Sequence, residues 1–175
     1  MLEHLGVPWK EVRTPQQLAQ VEGLIMPGGE STTLLKLLAT SGLWEALGSF
    51  HAAGHPLMGT CAGLIVLARE TRQPAQASLG FIDIVAIRNA YGRQVDSFVD
   101  TGTPLDAALD TTPLEMVFIR APRMVEPGPA VMSLATCRGD VVLARQGTVL
   151  VATFHPEMST DPRVHQYFLN MIAAA

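Results

Sequence analysis

Short apolar runs alternate with amphipathic stretches through the first half of the chain, and strand-like runs crowd the second half. Residues 1–6 read as the last turn of a helix, ended by Gly6 at the C′ position. Residues 7–12 read as a short strand. Thr14 and Pro15 then open a helix as N-cap and first helical residue. Residues 23–26 are apolar throughout, as expected of a strand in a parallel sheet covered on both faces. A Pro-Gly-Gly-Glu-Ser turn follows. Helices are predicted over residues 32–38, punctuated by Gly42, and over residues 43–53, closed by Gly54.

A buried strand at residues 55–60 runs through Cys61 into a helix predicted to reach about residue 70, and residues 71–78 read as a surface loop. Beyond them the pattern predicts strands over residues 81–87, 94–99, 116–119, 131–135, 141–145 and 149–154. Arg138-Gly139-Asp140 and Gln146-Gly147 supply turns, and a final helix spans residues 164–173 behind Asp161-Pro162. This order predicts one α/β domain over residues 1–175, with a parallel sheet in the first half extended by an antiparallel or mixed part.

Composition narrows the function. The 175 residues are 48% hydrophobic and 16% charged, with a net charge of −4, so the chain folds around a core and carries no basic patch for nucleic acid. Two well-separated cysteines give neither a disulfide framework nor metal-ligand spacing, and suit a reducing cytoplasm. No apolar run reaches membrane-spanning length, and residues 1–4 have no signal-peptide character.

The candidate chemistry centres on Gly59-Thr60-Cys61-Ala62-Gly63. Glycines two places either side of the cysteine give the spacing of a nucleophile elbow, where a tight strand-to-helix turn exposes the side chain above a sheet. The helix that follows turns its N–H groups toward the sulfur, which favours thiolate over thiol. The same pattern also describes a buried, inert thiol. Phe154-His155-Pro156-Glu157 ends the last strand. Extended residues two apart share a face, so the His155 ring and the Glu157 carboxylate are expected side by side, as base and orienting acid. Both motifs end strands, where open α/β sheets carry their sites.

Pro27-Gly28-Gly29-Glu30-Ser31 can turn backbone N–H groups toward an oxyanion, or can be an ordinary turn capped by Ser31 or Thr32. Arg88 and Arg120 follow strands and are either solvated or forks for a substrate carboxylate. Cys137 reads as structural, His4, His51, His55 and His165 as surface residues, and Trp9 and Trp44 as packing residues.

Taken in order, Pro27-Gly28-Gly29-Glu30-Ser31-Thr32-Thr33, Gly59-Thr60-Cys61-Ala62-Gly63-Leu64-Ile65, Arg88-Asn89 with Gly92-Arg93-Gln94-Val95-Asp96-Ser97-Phe98, Phe118-Ile119-Arg120-Ala121-Pro122 and Phe154-His155-Pro156-Glu157 resemble the PdxT family. These are the glutaminase subunits of pyridoxal 5′-phosphate synthase, a branch of the class I, triad-type glutamine amidotransferases. The resemblance covers nearly the whole chain. It implies a three-layer, flavodoxin-like fold with a mostly parallel central sheet and an antiparallel extension. It also implies hydrolysis of L-glutamine by Cys61, His155 and Glu157, with the N–H groups of Gly29 and Ala62 as oxyanion donors. Gly29, Glu30, Ser31, Arg88, Ile119 and Arg120 would contact the glutamine. No cofactor or metal is implied, and the ammonia would pass to a barrel-shaped synthase subunit that builds pyridoxal phosphate.

Members of that family begin with a strand and a Leu-Gln-Gly loop that do not occur here. A first strand missing from between residues 7–12 and 23–26 is therefore expected, leaving two exposed sheet edges, and the intact triad favours a start assigned too late over a degraded copy. Two other readings stay open. One is a docking subunit without catalysis. The other is a different Cys-elbow hydrolase of the DJ-1/PfpI-like kind, against which Ala62 counts, since those proteins commonly place His directly after the Cys.

Overall fold

The computed structural model describes residues 1–88 and 97–175. Asn89 and the Gly92–Asp96 part of the motif above, and the first half of the strand expected at residues 94–99, lie outside the described residues.

Residues 1–6 form a turn closed by Gly6 N–H to Glu3 O (3.0 Å) and Val7 N–H to Leu2 O (3.1 Å), with Gly6 at φ +66°. That is the hydrogen-bond pair of a Schellman motif, so Gly6 does sit at C′. Residues 7–12, expected as a strand, join no ladder. Helix α1 (Pro15–Leu18) starts on a complete capping box between Thr14 and Gln17. Strand β1 (Leu24–Met26) leads to α2 (Ser31–Ser41), and Gly42, at φ +75°, ends α2 and turns the chain directly into α3 (Leu43–Ala52).

Strand β2 (Leu57–Thr60) is followed by α4 (Ala62–Leu67), which is shorter than expected. From Ala68 the backbone is extended, and β3 (Ala68–Arg72) takes the place of the last helical turn and the start of the expected loop. Strands β4 (Ile82–Ile87), β5 (Phe98–Pro104), β6 (Leu114–Phe118), β7 (Arg123–Val125), β8 (Met132–Cys137), β9 (Asp140–Gln146) and β10 (Val149–Ala152) precede the final helix α5 (Arg163–Ala173).

The strands form two sheets. The larger has the order β1-β2-β10-β9-β8-β5-β6, and the smaller is β3-β4-β7. In the larger sheet β1, β2 and β10 run parallel, and the remaining neighbours are antiparallel. Thus the last strand inserts beside the strand that leads to Cys61, with Leu57 opposite Val149 and Thr60 opposite Ala152.

Period-two alternation builds three layers. Leu57, Val149 and Val151 pack on the face covered by α2, α3 and α4, with Leu38, Leu47, Phe50 and Leu64. Met58, Leu150 and Ala152 pack on the opposite face with Val164, Phe168 and Met171 of α5. Every residue of β2 and β10 is buried. Burying each large apolar side chain contributes about 1.5–3 kcal/mol, so this central pair anchors the domain.

Among the described residues, strand β1 pairs only with β2. A cavity of about 1250 Å³ is lined by its Leu24 and Ile25, by residues 7–13, and by Phe168, Leu169 and Ile172 of α5. Among the described residues no helix is long and apolar enough to cross a membrane.

Candidate active site

Cys61 lies between β2 and α4 at φ 50°, ψ −100°, a conformation that L-residues rarely adopt. Strain of this kind costs about 1–3 kcal/mol and persists only where the surroundings fix it. They do so from two sides. The Cys61 N–H donates to Ala152 O of β10 at 2.9 Å. The flanking glycines remove all slack: a Cβ on Gly59 would lie 2.7 Å from the Gly63 carbonyl carbon, and one on Gly63 would lie 2.1 Å from the Met26 carbonyl oxygen. The glycine spacing thus answers a packing demand, with β1, β2 and α4 in backbone contact at the elbow. The residue is buried, and its Sγ lies 3.9 Å from the carbonyl oxygen of Ile119.

His155 comes off the end of β10. Its N–H donates to Val117 O of β6 at 2.8 Å, and its ring rests against Cys61. Nδ1 lies 2.7 Å from Glu157 Oε1. The pair is side by side as expected, but not through strand alternation. Pro156–Met158 is a 3-10 turn, begun by the proline, that folds Glu157 back beneath the ring. The hydrogen bond to Cys61, then that to Glu157, raises the His155 pKa from 6.5 to about 9 against the cost of burial. Burial pushes Glu157 up. Its bonds to His155 and to its own N–H, with the charges of His155 and His165, outweigh that and hold it below the ordinary carboxylate value.

The Pro-Gly-Gly turn lies under the same ring. A Cβ on Gly28 would stand 2.2 Å from His155 Cε1. Gly29, at φ +146°, needs glycine for its backbone, with open space around it. The cap of α2 is Glu30, not Ser31 or Thr32: its carboxylate accepts from Thr32 N–H at 3.0 Å and Thr33 N–H at 2.7 Å. The Thr33 hydroxyl bond, followed by these N–H groups, lowers its pKa to about 2. Arg88 Nη2 approaches Glu30 Oε1 at 4.0 Å, so these two expected glutamine contacts share one rim. Ser31 is buried, and its hydroxyl donates to Gln76 Oε1 at 3.0 Å. Ile119 presents its carbonyl to the sulfur, and Arg120 beyond it is exposed at φ +45°. Ala62, buried, is the first residue of α4.

Several side chains differ from their sequence reading. His165 is 4% exposed rather than on the surface. His51 and His55 are half-buried, stacked on Phe81 and Phe50 at 4.3 and 4.4 Å between ring centroids. Trp9 is exposed rather than packed. Cys137 is buried and free, with its Sγ 3.9 Å from Thr101 O. Among the described residues no cluster of three or more His, Cys, Asp or Glu is placed to hold a metal.

The large cavity beside β1 touches the triad only at Glu157. The roles of Gly28, against the ring, and Gln76, against Ser31, were not read from the sequence. Gly28 stands in a quoted motif, but only the fold shows what faces it.

The sequence model of the SNO glutamine amidotransferase family matches residues 1–174. The chain is 51% identical over 175 residues to "Pyridoxal 5'-phosphate synthase subunit PdxT" of Deinococcus radiodurans, covering 97% of this chain and 88% of that one. It is 48% identical over 172 residues to the protein of the same description in Thermosipho africanus, covering 98% and 90%. A solved structure described as a glutamine amidotransferase superposes with a TM-score of 0.90 at 41% identity, over 98% of this chain and 90% of that one. A glutamine amidotransferase of Thermotoga maritima, at 11% identity and a TM-score of 0.63 over 99% and 76%, shares the fold. With the elbow, the His-Glu pair and the layered sheet in place, these matches show that the chain belongs to the SNO glutamine amidotransferase family.

Proposed function

We propose that the chain hydrolyses L-glutamine to L-glutamate and ammonia, and supplies the ammonia to the synthase subunit of pyridoxal 5′-phosphate synthase. The observation that carries this reading is the meeting of Cys61, His155 and Glu157 at the ends of two neighbouring parallel strands.

Cys61 Sγ, its proton already carried by His155 Nε2, attacks the side-chain amide carbon of glutamine. Glu157, bonded to Nδ1, fixes which nitrogen faces the sulfur and stabilises the charged ring. The tetrahedral oxyanion is met by the N–H groups of Gly29 and Ala62, each such donor being worth about 100- to 1,000-fold in rate. The C–N bond breaks as His155 returns the proton to the departing ammonia. Water, deprotonated by His155, then attacks the thioester and frees glutamate and the thiol. Arg88, Glu30, Ser31, Ile119 and Arg120 line the approach and hold the amino-acid end of the substrate, with an arginine fork suited to its carboxylate.

The synthase partner is a barrel protein, the complex works in the cytoplasm, and the subunit itself uses no cofactor. The test is ammonia release from glutamine with the synthase present. Wild type is expected to release it and Cys61→Ala to release none. Docking without ammonia would instead mark a non-catalytic subunit, and ester or peptide hydrolysis without glutamine turnover a different hydrolase.

A further inference from the structure

Gln76 is a polar side chain that the mechanism above leaves unused, yet it is bonded to one of the residues expected at the glutamine. The hydroxyl of Ser31 donates to Gln76 Oε1 at 3.0 Å, from 45 positions away along the chain. Ser31 is the first residue of α2 and is 4% exposed. The first N–H groups of a helix have no partner within it. Here the Glu30 carboxylate takes those of Thr32 and Thr33, and Leu34 N–H reaches Glu30 O at 3.0 Å. Among the described residues no acceptor takes the Ser31 N–H. It is the free donor of this turn, and Arg88 Nη2 lies 4.0 Å from the Glu30 carboxylate next to it.

The segment that carries Gln76 is itself tied down. Before it, the Thr71 hydroxyl donates to Ile65 O of α4 at 3.1 Å, and Arg72 O accepts the N–H of Arg88 at 2.9 Å. After it, the N–H groups of Leu79 and Phe81 donate to Val66 O and Leu67 O, also of α4, at 2.7 and 2.9 Å. Residues 71–81 thus form a strap held at both ends by the helix that follows Cys61, and bonded to the backbone of Arg88. Gln76 joins this strap to α2. Packing alone does not account for an amide here. Gln76 Nε2 is enclosed with no hydrogen-bond partner, which costs stability. An apolar side chain of equal length would fill the same space without that cost.

We propose that Gln76 is a positioning residue for the glutamine site: its amide oxygen, through the Ser31 hydroxyl, fixes where the first turn of α2 stands relative to Arg88 and the elbow, and so presets the Ser31 N–H for the amino-acid end of the substrate. This rests on the reading that the site takes L-glutamine. Without the bond the turn is ordered only when the substrate arrives, and that cost falls on binding rather than on the chemical step.

Gln76→Met removes the acceptor and keeps the length; Gln76→Ala removes the acceptor with most of the side chain. With the synthase present, both are expected to raise KM for glutamine about three- to ten-fold, the size of one neutral hydrogen bond, with kcat within about two-fold of wild type. Ser31→Ala should raise KM to a similar extent. Adding Gln76→Met to it should change KM by less than about two-fold, because the group it acts through is gone. The thermal midpoint of Gln76→Met should change little, since it trades one unpaired group for another. A merely structural role would lower the midpoint and the active fraction, hence kcat, and leave KM in place. That pattern, or a KM change of full size in the Ser31→Ala background, would overturn the proposal. Wild type that released no ammonia would sink the glutaminase reading and this one together. Wild-type turnover beside an unchanged KM in both Gln76 variants would sink this one alone.

Discussion

A methyl group on Gly28 would lie 2.2 Å from Cε1 and 3.0 Å from Nδ1 of His155, well inside contact distance. The turn after β1 is thus the floor on which the His155 ring lies. Gly28→Ala must lift the ring away from Cys61 or displace the turn. A misplacement of about 1 Å at reacting groups costs on the order of 100-fold. We expect kcat to fall by about that factor while the thermal midpoint changes little, measured by ammonia release and by thermal unfolding. A variant with full activity would show that the ring does not rest there.

His155 should be protonated in the free protein at neutral pH and lose its proton near pH 9. Cys61 is the leading cause, so Cys61→Ala should return the titration toward 6.5, as read by NMR of the ring. The linked stability follows in sign. A pKa raised on folding contributes stability that is fully present below 6.5 and is lost as pH rises through about 9. Wild type should therefore lose more stability than His155→Ala between those limits. Parallel curves for the two proteins would refute the raised pKa.

Arg88 lies beside Glu30, its Nη2 4.0 Å from the Glu30 carboxylate. Arg88→Ala is expected to raise KM for glutamine about ten-fold or more while changing kcat much less, the pattern of lost substrate binding. An unchanged KM would take Arg88 out of the substrate site.

Gly63→Ala tests the elbow itself. Its Cβ would meet the Met26 carbonyl oxygen at 2.1 Å, and backbone cannot yield as a side-chain tip can. Overpacking of this kind costs about 1–3 kcal/mol. We expect a lower thermal midpoint together with a large loss of turnover. Unaltered stability would mean that β1 and α4 are not in backbone contact.

Much of the site was legible because its demands are local. Glycines flanking Cys61 and a proline between His155 and Glu157 announce a strained turn and a fixed pair. What escaped depends on packing across the fold. The apolar run at residues 64–68 fits a buried helix or a buried strand equally well, and the chain uses it for both, switching at Ala68. Strand β7 is three residues long and, among the described residues, pairs only with β4, too short to register as a pattern. His165 was read as a surface residue because it is polar. Yet it lies one position from Val164 and three from Phe168, within the apolar stripe of α5, and that spacing could have placed it inside. The cap at Glu30 was missed because Ser and Thr next to it are the commoner choice.

The amide of Cys61 is tied to Ala152, so the proposed nucleophile takes its shape from a strand that leaves the ribosome well after it. A nascent chain that has emerged through α4 carries a thiol with no base beside it and no anchor for its strained backbone. On the proposed mechanism glutamine is therefore safe from copies that still lack β10, and proteolytic loss of the segment from β10 onward would disarm the molecule while leaving the sulfur in place. On that mechanism, docking of β10 beside β2 is the step that turns an ordinary cysteine into a reagent.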